Sequence, residues 1–131
     1  MKLAKGYLCY FSPTGSSRRV AEAVGRGLGA QTIVCDVTHG TADVAAGRGD
    51  VAVFAVPVYG GHVAPLALQR LDTVRGDGTP AVVVVLYGNR AYEQAARELA
   101  DFVAARGFVP VAAGAFIGEH SYSTARYPIA A

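Results

Sequence analysis

The 131-residue chain predicts an α/β fold, a doubly wound parallel sheet of five strands in a single domain. Three observations carry that expectation. Strand-like and helix-like segments alternate along the chain, the pattern of parallel sheets joined by right-handed crossovers. Two runs, 51–59 and 81–87, are almost continuously apolar and rich in valine, as strands covered on both faces must be. A hydroxyl-rich turn, Ser12-Pro13-Thr14-Gly15-Ser16-Ser17, joins the first strand signal to the first helix signal.

Residues 3–11 read as strand one. Helix one spans 16–28, with Val20, Val24 and Leu28 on a common face. Gly25, Gly27 and Gly29 weaken it, each by up to ~1 kcal/mol where interior, and close packing on the sheet is the expected compensation. Residues 32–37 form a short second strand, and 41–47 support at most a brief helix. Strand three covers 51–59, and 65–74 makes a helix with Leu68 and Leu71 facing inward. Strand four follows at 81–87. The clearest helix is 92–106: Ala95, Leu99, Phe102 and Val103 form its apolar stripe, Glu93 and Glu98 lie early, and Arg106 closes it. Strand five spans 109–117, where Pro110, lacking an amide hydrogen, fits near the start of an edge strand.

Composition bounds the function. The chain is 52% hydrophobic and 17% charged, which describes a folded core and not a disordered segment. Its apolar runs are too short to span a bilayer. No charged-then-apolar leader opens it, since Lys5 and Gly6 interrupt that pattern. A cytoplasmic location without membrane association is expected. A dispersed net charge of +2 argues against a nucleic-acid partner. Cys9 and Cys35 each fall in an apolar segment and read as buried thiols of a reducing compartment. With His39, His62 and His120 scattered, no metal site is expected.

The turn at 12–17 carries the chemistry. A helix start leaves backbone N–H groups without intrahelical partners, and the helix dipole adds partial positive charge there. Ser12, Thr14, Ser16 and Ser17 add hydroxyl donors, and Gly15 permits close backbone approach. No lysine or arginine lies inside the turn, which suits a bound phosphomonoester better than a phosphate in transfer. The same residues equally describe a helix N-cap with Pro13 and Gly15 as turn formers. In doubly wound sheets, ligands bind beyond the C-terminal strand ends. Three loops therefore matter: 12–17, 57–65 and 88–92.

With these loops in view, the chain resembles flavodoxin-like FMN-binding domains. The residues that carry the likeness are Ser12-Pro13-Thr14-Gly15-Ser16-Ser17, Pro57-Val58-Tyr59-Gly60-Gly61 and Tyr87-Gly88-Asn89-Arg90-Ala91-Tyr92. It is most similar to the flavodoxin-like half of bacterial proteins that fuse this domain to a two-cluster ferredoxin. The resemblance covers nearly the whole chain and implies strand order 2-1-3-4-5 with FMN as cofactor. It implies that amides and hydroxyls of 12–17 hold the phosphate. It places Pro57, Val58, Tyr59, Gly60 and Gly61 along one side of the isoalloxazine, with Tyr59 as a stacking ring. Gly88, Asn89, Arg90 and Tyr92 would border the other side, Tyr92 supplying the second ring. In this family a peptide beside the flavin N5 turns over as the flavin takes up an electron and a proton. Gly60-Gly61 suits that role, because glycine tolerates both backbone conformations.

Plainer readings stand beside these. Tyr92 shares a helical face with Leu99 and suits a core seal, and Tyr59 suits the end of a strand. Asn89 and Arg90 suit ordinary loop polars. His62 reads first as an exposed loop histidine and second as a donor to the flavin, while His120 has at most an indirect role. Arg18 and Arg19 face solvent and add long-range attraction for phosphate.

The chain also departs from the family. Such domains normally close with a helix after strand five, and here 124–131 reads only as the approach to one. The expectation is either a truncated chain or an uncovered strand-five face that pairs two copies as a homodimer. No run of closely spaced cysteines is present to hold an iron–sulfur cluster. The electron partner is then a separate redox protein (a ferredoxin or reductase) or a small-molecule donor. The +2 charge differs from the acidic character of many flavodoxins.

The leading function is an FMN-binding electron carrier, with no catalytic residue of its own. The alternatives are an NAD(P)H-dependent flavin or quinone reductase and a non-redox interaction domain on the same scaffold. A phosphoacceptor receiver lacks its acids, since Ser12-Pro13 and Pro57-Val58-Tyr59 stand in their places. A low-molecular-weight tyrosine phosphatase fails too, because no arginine follows Cys9 at the required spacing.

Overall fold

A computed structural model of the chain describes residues 5–87 and 93–117. The elements run β1 (Gly6–Tyr10), α1 (Ser16–Leu28), β2 (Thr32–Asp36), β3 (Val44–Ala45), β4 (Val51–Tyr59), β5 (His62–Val63), α2 (Pro65–Leu71), β6 (Val74–Arg75), β7 (Thr79–Tyr87), α3 (Glu93–Ala104) and β8 (Phe108–Ile117). Five parallel strands pair in the order β2-β1-β4-β7-β8, and β5 folds back antiparallel onto β4. This is the order 2-1-3-4-5 that the resemblance implies.

Alternation of side chains sends two sets of residues to opposite faces. One set, with Phe54, Val56, Val83 and Val85, packs under α2 and α3 through Leu71, Leu99 and Val103. On this face Phe54 and Phe108 meet edge to face, with centroids 4.9 Å apart and planes at 80°. The other set, including Leu8, Tyr10, Val53, Val84 and Leu86, is covered by Val20, Val24 and Leu28 of α1. Gly25 is what lets α1 come close: a Cβ there would stand 2.8 Å from Leu8 Cδ2. Gly27 has open space around it, so its helix-weakening effect has no packing compensation.

Two local expectations change. Residues 41–47 hold no helix. Val44 and Ala45 instead pair in parallel with Val74 and Arg75, and the Ala46 amide donates to the Arg75 carbonyl at 2.8 Å. A single turn of helix is costly to nucleate, whereas the extended form joins the buried Val74 to the core. For the same reason α2 stops at Leu71 and does not run to Val74. The Thr73 hydroxyl then donates to the Ala42 carbonyl at 2.7 Å, fixing the two short strands together.

Phe102 is half-buried, and Arg106 stacks its guanidinium 3.6 Å from the centre of that ring. Arg106 also donates to the Phe102 carbonyl at 3.0 Å and forms an ion pair with Asp72, tying the end of α3 to the end of α2. Pro110 sits near the start of the edge strand β8, as expected, beside a register shift opposite Ala81 and Val82. Val109 and Val111 are exposed there. The expectations for His120 and for 124–131 lie outside the described residues.

Cys9 on β1 and Cys35 on the edge strand β2 stand opposite each other, both buried and unbridged. The hydrogen bond between the two thiols, with burial, pushes the Cys9 thiol well above its ordinary range.

Candidate functional site

β1 leaves the sheet after the Phe11 amide donates to the Ala55 carbonyl at 3.2 Å on β4. Ser12 is then held from two sides. Its amide donates to Thr38 Oγ1 at 2.9 Å, and its Oγ accepts the Arg18 amide at 3.0 Å. Ser12 thus caps α1 from a distance, in line with the helix-start reading of this turn. Gly15 occupies the N-cap with φ 89° and ψ −9°, a left-handed conformation that side chains disfavour. Its carbonyl accepts the Arg19 amide at 3.1 Å.

What is left at the turn is donor-rich. Among the described residues, the Thr14 and Ser17 amides donate to no protein acceptor, as expected at a helix start. The Thr14 and Ser16 hydroxyls lie 3.4 Å apart. Pro13 and Thr14 are exposed, whereas Ser16 and Ser17 are buried beneath the turn. A Cβ on Gly15 would lie 3.2 Å from Arg19 Nη1, so this guanidinium folds back over the turn. Arg18 instead pairs with Glu22 at 3.3 Å and spends its charge there.

The second loop is a tight hairpin. Val58 pairs with Val63 and Tyr59 with His62, so Gly60 and Gly61 alone make the reversal. Their φ values, 61° and 85°, are those of a type I′ turn, which needs two left-handed residues in succession. Pro57 is buried, Val58 half-buried and Tyr59 exposed. The Ala64 amide donates to the Pro57 carbonyl at 3.1 Å and closes the hairpin base. His62 is exposed, with Nδ1 3.8 Å from Glu98 Oε1.

β1, β4 and β7 are neighbours, with Tyr10 opposite Ala55 and Pro57 opposite Leu86. The 12–17 turn, the Gly60-Gly61 hairpin and the end of β7 therefore open on one edge of the sheet. Tyr87, the last residue of β7, is buried. Gly88, Asn89, Arg90 and Tyr92 lie outside the described residues.

Three residues at this edge escape the sequence reading: Asp36, Thr38 and Arg70. Asp36 Oδ1 accepts the Thr38 amide at 2.9 Å and the Thr38 hydroxyl at 2.5 Å. Arg70 donates to the carbonyls of Val37 and Thr38 and lies 5.8 Å from the centre of the Phe11 ring. The Asp-x-Thr spacing just past a strand is an Asx-turn signal, and it marks the first two of them. Burial, then the Asp36 charge, pushes the Tyr10 phenol up.

No family model matches the chain, and no curated protein matches it significantly. Solved structures do. A flavodoxin from Streptococcus pneumoniae TIGR4 is similar with a TM-score of 0.61 at 19% identity, over 94% of this chain and 92% of that one. The fold is flavodoxin-like. A flavodiiron protein from Giardia intestinalis is similar with a TM-score of 0.55 at 15% identity over 96% of this chain. This chain spans 33% of that protein's length.

In a flavodoxin-like sheet the winding direction reverses between β1 and its neighbour β4, where the two loops emerge. The donors there are of the kind a phosphate monoester needs: Thr14 and Ser17 amides with no acceptor among the described residues, hydroxyls, and a turn whose Gly15 carries no Cβ. The carboxylate of Asp36 is turned to Thr38. Among the described residues, no helix is long and apolar enough to cross a membrane.

Proposed function

We propose that this chain binds FMN at the edge shared by the 12–17 turn and the Gly60-Gly61 hairpin, and serves as an electron carrier. The observation that carries this reading is the donor-rich turn at the start of α1 opening beside a hairpin of two left-handed glycines. FMN supplies the redox chemistry when bound. The Thr14 and Ser17 amides, with the neighbouring hydroxyls, hold the phosphate, and Arg19 adds positive charge over it. Exposed Tyr59 offers a ring for stacking, and Gly60-Gly61 lets the adjacent peptide take two orientations. Stacking of this kind contributes on the order of 1 kcal/mol beyond buried area. Electrons pass to or from a separate redox protein or a small-molecule donor.

Two buried, unbridged cysteines fit a reducing compartment such as the cytoplasm. Exposed Val109 and Val111 on the edge strand support pairing of two copies, which light scattering at high concentration measures.

The deciding experiment is a titration of flavin-free protein with FMN and with riboflavin. Much tighter binding of FMN is expected, because only FMN engages the 12–17 turn. No binding of either flavin by folded protein would overturn the proposal. Sustained NAD(P)H oxidation by the loaded protein would favour a reductase over a carrier.

A further inference from the structure

We infer that Thr38 is a positioning residue for the 12–17 turn and sets its selectivity for a phosphate-bearing ligand. The inference rests on the FMN reading above, but the contacts that carry it are the chain's own. Thr38 lies 26 residues from Ser12 in sequence, yet its Oγ1 accepts the Ser12 amide at 2.9 Å. That hydroxyl in turn donates to Asp36 Oδ1 at 2.5 Å, so its one hydrogen is committed and its lone pair faces Ser12. The Thr38 amide donates to the same carboxylate oxygen at 2.9 Å, which fixes the backbone of the segment. From the opposite side, Arg70 of α2 grips the Val37 and Thr38 carbonyls, and the Val37 amide donates to the Tyr10 carbonyl at 2.9 Å.

The consequence is a division of labour. The Ser12 amide is consumed in holding the turn, while Thr14 and Ser17 keep theirs for a ligand. Ser12 Oγ, fixed in this way, accepts the Arg18 amide and sets the start of α1. A chain of polar contacts thus runs from Asp36 through Thr38 and Ser12 to the first turn of α1. Removing the Thr38 hydroxyl leaves the Ser12 amide without its acceptor and releases the turn, while the Gly60-Gly61 hairpin, which would face the flavin ring, is untouched.

The test compares Thr38→Val and Thr38→Ser in two measurements. In ligand-free protein, amide hydrogen exchange at Ser12 is expected to speed up about tenfold in Thr38→Val, the size of one lost hydrogen bond, and to return to the wild-type rate in Thr38→Ser. In flavin titrations, Thr38→Val is expected to weaken FMN by about tenfold while riboflavin binding is unchanged, with Thr38→Ser close to wild type. Unchanged Ser12 exchange in Thr38→Val would overturn the inference. Equal weakening of FMN and riboflavin would overturn it as well, since that marks a general structural defect. If the wild type binds neither flavin, the FMN reading fails, and the exchange measurement decides on Thr38 alone.

Discussion

Glu98 Oε1 accepts the Val63 amide at 3.0 Å, so the Gly60-Gly61 hairpin is fastened to α3 by a carboxylate contributed 35 residues later. The bond reaches past His62 and leaves the two glycines outside the fastening. The hairpin is thereby anchored at its base, next to the reversal.

Removing that anchor should loosen the hairpin without unfolding the sheet. Glu98→Ala is expected to cost about 1 kcal/mol, the size of a half-exposed hydrogen bond, and to speed amide exchange at Val63. Glu98→Gln, which keeps an acceptor oxygen, should recover most of the protection. Urea unfolding and exchange measured on the same samples check both statements.

The reversal is expected to respond differently. Gly60→Ala or Gly61→Ala forces a side chain into the left-handed region and should cost about 1–2 kcal/mol each. In FMN-loaded protein, at least one of them should also change the gap between the two one-electron potentials. If both substitutions leave the potentials unmoved, the redox role proposed for this peptide is wrong.

Two glycines of α1, two positions apart, should give opposite results. Gly27→Ala meets open space and should stabilise the fold by up to about 1 kcal/mol through helix propensity alone. Gly25→Ala gains the same propensity but drives its methyl into Leu8, so a net loss of about 1 kcal/mol is expected. Denaturant midpoints of the two variants test the contrast.

The Asp72 carboxyl is held below its ordinary range by the hydrogen bond from Arg106, and next by the charge of that guanidinium. A carboxyl depressed on folding contributes stability above its unfolded pKa and loses it as pH falls through the folded value. Asp72→Asn should therefore lower stability slightly at neutral pH and flatten the acid limb of the stability curve below about pH 4, where variant and wild type converge. Thermal unfolding followed from neutral pH down through the acid limb measures it.

These residues also show what a sequence can reveal. Valine-rich runs predict β4 and β7 because burial on both faces admits little else, and α1 begins and ends where its cap residues dictate. The 12–17 turn and the Gly60-Gly61 reversal are legible because their backbone geometry demands particular residue types. The Thr38–Ser12 bond and the role of Arg70 are not, because they come from partners far along the chain that meet only once the sheet and α2 have formed. Residues 41–47 fail for a related reason: their short strand exists through pairing with Val74 and Arg75, and neither segment signals the other.

The paired thiols of Cys9 and Cys35 have a practical use. Both are buried, Cys9 on an inner strand and Cys35 on the edge strand β2, so an alkylating reagent reaches them only when the structure covering them opens. The labelling rate of Cys9 is then a clock for opening of the inner sheet, and that of Cys35 for opening at its edge, both readable by mass spectrometry without any engineered probe. Bound ligand at the neighbouring turn should slow the Cys9 clock in proportion to the stability it adds.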